Sequence, residues 1–263
     1  MIPGLAPSMG APSTDTLAVI DRLGLSANLK ICLDAGNQAS YPGGQKWLDL
    51  SGNGHDFFLG SSATVAADDP TFTGVIGRKS GNDYFAHDGG DYFLYDTANE
   101  AWMQNMHKAG ARCSVAGWYR FGDFATINGL AGTSQPTGNV GWRWSMTTTT
   151  HQFYVVNGGI DVLNLQVAHG SASGQWLFMA ASVDVPNNKS IMCQGPTQTV
   201  GTATYTSPSA GNASLVFSVA ARGSGDQPLR NGGRSSNFMC WEGRALTEAE
   251  LRAFYEATRS KYL

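Results

Sequence analysis

The 263-residue sequence predicts an all-β fold, an antiparallel two-sheet sandwich with a short N-terminal helix and a closing C-terminal helix. Short apolar–polar alternations recur from Leu29 almost to the end, clusters of Gly, Pro, Asn or Ser separate nearly all of them, and the strands are rarely interrupted by helical patterns. Composition agrees, since 33 glycines and only 14% charged residues suit short strands and tight turns better than long surface helices. The length fits one large β domain.

The chain opens on Pro3, Pro7 and Pro12 interleaved with Gly4 and Gly10. Such a stretch buries too little surface to fold alone, so residues 1–13 are expected to form an extended arm ordered by another surface. From Thr14 to Leu23 a short helix is expected, with Leu17, Ile20 and Leu23 on one face and Gly24 placed to end it. Residues 1–28 thus form an arm-and-helix segment read as an anchor, ahead of a β domain at 29–263.

The first strand is expected at 29–34, where Leu29, Ile31 and Leu33 alternate with Lys30, Cys32 and Asp34. Others follow at 55–59, 91–95, 112–121, 141–146, 151–156, 160–167, 175–185, 189–194, 214–221 and 236–244. The stretches around Asn157-Gly158-Gly159 and Pro186-Asn187-Asn188 have the composition of hairpin turns. Two helices are marked by capping boxes. Thr97 and Glu100 predict one over 98–107, and Thr247 and Glu250 predict the C-terminal one, with Leu246 and Leu251 as a hydrophobic staple. Leu251, Phe254, Tyr255 and Tyr262 form a stripe expected to lie on the sandwich.

A net charge of -3, a pI near 5.9 and the lack of any Lys/Arg cluster give no electrostatic reason to bind nucleic acid. No apolar run reaches the roughly 18 residues that would span a bilayer, and the N-terminus lacks a signal peptide's basic and apolar regions, so neither membrane nor secretion is expected. Cys32, Cys113, Cys193 and Cys240 lie far apart in strand-like segments without CxxC spacing, and are read as buried free thiols.

Several segments carry a resemblance. Asp49-Leu50-Ser51-Gly52-Asn53-Gly54 is a tight turn flanked by Trp47 and Phe57. Residues 113–120 form an apolar strand holding Trp118, residues 175–184 run from Trp176 to Asp184, and residues 238–251 join a strand to Arg244-Ala245-Leu246-Thr247 at a helix start. In this order they resemble the laminin-G-like, concanavalin A-like jelly-roll family over about residues 29–263. The resemblance implies a jelly-roll sandwich of the kind found in carbohydrate-recognition units, adhesion domains and bacteriophage virion proteins.

With the Pro/Gly-rich arm it implies a non-enzymatic virion structural protein, as a capsid decoration, head spike or tail-fibre component assembled in the host cytoplasm. Other virion proteins would be its partners through the arm, a host-surface glycan its ligand, and a homo-oligomer its form. Two alternatives stand beside this reading: a purely structural decoration protein without a ligand, and a glycoside hydrolase on the same fold.

A hydrolase of this kind would need paired carboxylates on one strand. The only glutamates are Glu100, Glu242, Glu248, Glu250 and Glu256, none in such a pattern, and no Gly-x-Ser-x-Gly elbow or phosphate loop is present. No catalytic residue is therefore assigned.

Sugar binding calls for an aromatic face beside hydrogen-bonding groups. Asn139, Trp142, Arg143 and Trp144 form one candidate, against the alternative that both tryptophans face the core and Arg143 points outward as an ordinary surface residue. Asp83, Asp88 and Asp91, around Gly89-Gly90, form a candidate calcium site of the sort the resemblance implies, against the alternative of a hairpin turn. No other cofactor is expected.

Overall fold

A computed structural model describes residues 15–76, 83–136 and 138–263. The expected arm at 1–13 lies outside the described residues. The elements in chain order are α1 (Thr16–Arg22), β1 (Leu29–Asp34), β2 (Lys46–Trp47), β3 (Phe57–Leu59), β4 (Thr71–Thr73), β5 (Tyr84–His87), β6 (Phe93–Tyr95) and α2 (Ala101–Asn105). They continue with β7 (Arg112–Arg120), β8 (Asn128–Gly132), β9 (Val140–Met146), β10 (Thr150–Asn157), β11 (Ile160–Ala168) and β12 (Trp176–Asp184). The last are β13 (Lys189–Gln194), β14 (Thr197–Gly201), β15 (Ser218–Val219), β16 (Gly233–Glu242) and α3 (Glu248–Thr258).

Two antiparallel sheets confirm the all-β sandwich. Sheet A runs β14-β13-β12-β7-β16-β5-β4, with β1 also paired to β16, and sheet B runs β11-β10-β9-β8-β15-β6-β3-β2. One core lies between the sheets, where Trp47, Phe57, Phe85, Phe93, Tyr119, Trp142, Trp144 and Phe217 meet. A second core lies between the other face of sheet A and the helices, with Val19 and Ile20 of α1 and Leu251, Phe254 and Tyr255 of α3 packed on Trp118, Phe178 and Trp241. Sheet A is therefore covered on both faces. Its strands β7, β12 and β16 are buried along nearly their whole length for that reason, with alternate residues serving different cores.

The local signals that worked involve residues adjacent in sequence. Thr247 and Glu250 form the expected capping box at α3, and Leu246 and Leu251 are both buried. Helix α1 ends as expected at Gly24, whose φ of 69° is the left-handed conformation that suits glycine. Its cap is Asp15, which accepts from the Ala18 amide at 3.2 Å. Because α1 belongs to the second core, its apolar face and Leu25 are packed into the domain.

Helix α2 is shorter than the predicted 98–107, and its capping box does not form. Glu100 is the N-cap residue and makes no side-chain cap. Its carboxylate instead accepts from the Tyr95 hydroxyl and lies 3.2 Å from His55 Nε2. Partners from β6 and the turn after Asn53 outcompete the local backbone.

All four cysteines are free and buried. Burial pushes the Cys113 and Cys193 thiols up to about 12 and those of Cys32 and Cys240 well above the usual range, so little nucleophilic thiolate exists near neutrality. No thiol of the native protein is expected to react with a disulfide reagent such as DTNB at pH 8 within minutes, and all four should react in denaturant. Prompt titration of even one native thiol would contradict this packing. Among the described residues, no helix is long and apolar enough to cross a membrane.

Candidate functional site

Strand β9 sets the site by its alternation. Trp142, Trp144 and Met146 point into the core between the sheets, while Arg143 and Ser145 take the opposite parity on the outer face of sheet B. The expectation of a sugar platform from Trp142 and Trp144 is corrected here, because both are 0% exposed. Trp142 stacks on Phe153 at 5.6 Å between ring centres, and Trp144 Nε1 donates to His151 Nε2 at 2.6 Å. On a strand paired on both sides, two same-parity indoles have more apolar surface to bury inward than any outer face offers.

Arg143 is also not the ordinary surface residue of the alternative reading. It is only 8% exposed, and its guanidinium carbon lies 4.4 Å from the ring centre of Tyr154. Asn139 stands half-buried just before β9, its carbonyl accepting from Gly158 N at 3.1 Å.

Cross-strand register builds an outer face around Arg143. Across β9, β10 and β11, Arg143 lies opposite Tyr154 and Tyr154 opposite Asn164, while Ser145 lies opposite Gln152 and Gln152 opposite Gln166. With strands about 4.8 Å apart, these two rows span roughly 10 Å. Hydrogen bonds run along them. Gln152 Nε2 donates to Gln166 Oε1 at 3.0 Å, Gln166 Nε2 to Asn164 Oδ1 at 2.8 Å, and Asn164 Nδ2 to Asp161 Oδ2 at 3.1 Å.

A second guanidinium reaches this face from the segment after β15. Arg222 is 3% exposed, and its Nη2 lies 2.6 Å from Asp226 Oδ2. The segment can sit so close because of Gly129: a Cβ there would fall 2.4 Å from the Gln227 carbonyl oxygen. Burial pushes the Arg143 pKa down and the like charge of Arg222 adds to it, while Asp161, Tyr154 and Asp226 oppose them.

Beyond β11 the edges of the two sheets leave a groove of about 470 Å³. Leu163, Leu165, Val167 and Met192 supply apolar lining, Thr199, Thr202, Thr204 and Thr206 supply hydroxyls, and Asn164 and Gln166 join the groove to the outer face. A ligand with apolar faces and peripheral hydroxyls fits this lining chemically.

The proposed calcium ligands are not brought together. Asp83 lies before β5, while Asp88 and Asp91 lie after that four-residue strand, roughly 13 Å of extended chain away. Asp83 is buried beside Gly74, and a Cβ on that glycine would meet its carboxylate. Asp91 Oδ2 accepts from Asp88 N at 2.7 Å and Asp88 Oδ1 from Gly90 N at 2.8 Å, which gives these two the turn-closing role of the alternative reading. Among the described residues, no group of three or more His, Cys, Asp or Glu is placed to hold a metal ion.

Tyr154, Asn164 and Gln166 were not singled out in the sequence. The alternation of 151–156 and 160–167 gives each residue's parity, but only register shows that they share a face with Arg143.

No protein-family model and no curated protein matches the chain. Solved structures do, and they show the fold. The botulinum neurotoxin DC binding domain, solved in complex with rat synaptotagmin II, matches at a TM-score of 0.61 with 8% identity, over 89% of this chain and 52% of the toxin chain. A structure of botulinum neurotoxin type C, whose cell entry is described as dependent upon interaction with two ganglioside molecules, matches at 0.62 with 7% identity, over 90% and 53%. Trypanosoma rangeli sialidase in complex with sialic acid matches at 0.57 with 12% identity, over 90% and 34%. The chain therefore has a β-sandwich fold like that of these proteins and spans about half of the toxin chains and a third of the sialidase chain.

Proposed function

We propose that the chain is a non-catalytic glycan-binding module whose ligand lies along β11, in the groove and on the adjoining amide-rich face. The observation that carries this reading is the continuity of a groove lined by threonine hydroxyls and by Leu163, Leu165, Val167 and Met192 with the Asn164–Gln166–Gln152 ladder. Sugars present that combination of apolar faces and hydroxyls. The neighbours described with gangliosides and with sialic acid support it as analogy.

A non-catalytic role is supported by how the glutamates are used. Glu100 contacts His55 and Tyr95, Glu242 contacts Lys30 and Asn105, Glu248 pairs with Lys189, Glu250 caps α3, and Glu256 pairs with Arg259. The virion role implied by the sequence motifs is part of the same proposal. With α1 packed into the domain, attachment to a particle falls to residues 1–14, and deleting them is expected to abolish particle incorporation while leaving the domain folded.

The test is a glycan array followed by calorimetry on the best binder. Asn164→Ala with Gln166→Ala, both at exposed positions, should weaken binding about tenfold, the equivalent of one or two lost hydrogen bonds. Silence across the array, or binding indifferent to the double variant, would refute the site. Release of reducing ends from a bound polysaccharide would refute the non-catalytic reading.

A further inference from the structure

We infer that the ligand carries an anionic group, a carboxylate or a sulfate, held by Arg143 and Arg222 at the end of the outer face away from the groove; this rests on the glycan-binding reading above. The two guanidiniums are buried yet poorly satisfied. Arg143 presents five N–H donors, and among the described residues its one hydrogen bond is a long one, 3.5 Å from Nη1 to the Gln135 carbonyl. Arg222 Nε is buried without any partner, while its Nη2 pairs with Asp226 Oδ2 at 2.6 Å.

Ser145 Oγ, outward on β9, and Ser134 Oγ, on the loop bonded to Gly223, are further buried polar atoms without partners. Three such atoms, Arg222 Nε, Ser145 Oγ and Ser134 Oγ, so close together are a concentration that folded proteins ordinarily avoid, because each unmet group costs about 1–3 kcal/mol. Donors dominate the set, and Tyr154 holds the Arg143 guanidinium over its ring, with Cζ 4.4 Å from the ring centre. A planar, fixed guanidinium is suited to a two-oxygen acceptor.

Asp226 neutralises Arg222 only in part of its donor set, and Asp161 is already engaged by Asn164. A carboxylate or sulfate oxygen would therefore meet unsatisfied N–H groups in a partly desolvated place, where a neutral hydroxyl would be the weaker acceptor. Asn164, opposite Tyr154 in register, links this end to the groove, so one oligosaccharide could span both.

The experiment is calorimetry of the full chain with three oligosaccharides of matched length: an oligogalacturonide, a sulfated dextran oligosaccharide and unmodified dextran. One or both acidic probes should bind at least tenfold more tightly than the neutral one, and which of them does so identifies carboxylate or sulfate. Arg143→Gln should erase that preference. Arg143→Lys, which preserves charge without the planar fork, should keep only part of it.

Asp226→Asn, which frees Arg222, should strengthen acidic binding several-fold, an effect no loss of folding can imitate. Equal affinity for acidic and neutral probes, or a preference that survives Arg143→Gln, would overturn the anionic reading and leave the groove intact. If none of the three binds and the glycan array is also silent, the glycan reading itself fails.

Discussion

Replacing Lys261 by methionine is expected to destabilise the fold by about 3–5 kcal/mol, because it strands a carboxylate in the interior. Lys261 Nζ lies 3.2 Å from Asp34 Oδ1, and the two side chains are 4% and 1% exposed. Asp34 also accepts from Thr16 N at 3.0 Å and Gly36 N at 2.9 Å, so one carboxylate ties the start of α1, the end of β1 and the chain terminus together. Burial alone would push the Lys261 ammonium down, but Tyr262 and Asp34 outweigh it and hold its pKa above the usual range.

Thermal and urea unfolding would read the loss, roughly 10 °C in Tm for a domain of this size. The double change Asp34→Asn with Lys261→Met should recover part of it by removing both charges. An exposed pair is the control: Arg112→Met, which breaks the surface contact to Asp184, should cost under about 1 kcal/mol. A loss of similar size for Lys261→Met would show that the buried pair is not formed.

Acid is expected to unfold the protein through its buried histidines. Burial pushes His87 down to about 4 and His151 down to about 3, and it lowers His107 in the same direction. A folded-state pKa below the unfolded value near 6.5 means that unfolding takes up protons, so stability is fully present above about pH 6.5 and is lost as pH falls toward 4 and 3. Asp91 works the other way. Burial pushes its carboxyl up to about 7, so unfolding releases a proton between about pH 4 and 7 and stability falls as pH rises there.

With His87 and His151 each taking up a proton and Asp91 releasing one, the net is one proton bound on unfolding around pH 5. Stability should therefore rise with pH by about 1.4 kcal/mol per unit between pH 4.5 and 6, with His107 adding to the slope. Asp91→Asn should steepen it by about the same amount again. His151→Phe, which keeps the ring volume but gives up the bond from Trp144, should flatten it. Glu100, Asp184 and Glu250, held below the ordinary carboxylate range, add their share only below about pH 4.5. Urea midpoints across this range test the signs directly, and a slope unchanged in both variants would show that these groups do not govern it.

The sequence by itself determined the fold class, the longer strands and the closing helix. Period-two alternation and turn chemistry act between neighbours along the chain, and so does the Thr247–Glu250 box, which is why these were legible without coordinates. Short strands were not. Residues 71–73, 84–87 and 128–132 carry too few alternating positions to stand out. Residues 84–87 and 128–132 are strands because the long β16 and β9 pair with them, and 71–73 in turn pairs with 84–87. The box at Thr97 failed for the complementary reason, since Glu100 found His55 and Tyr95, residues the local pattern cannot weigh.

The candidate site was half legible: the segment holding Arg143 was singled out, but for its tryptophans rather than for the arginine between them. Only the tertiary structure decided that Trp142 and Trp144 fill the core, that Tyr154 and Asn164 stand in register beside Arg143, and that Arg222 arrives from 79 residues further along. Parity along a strand is a local property fixed by the pleat, whereas register between strands and the approach of a distant loop depend on contacts between residues remote in sequence.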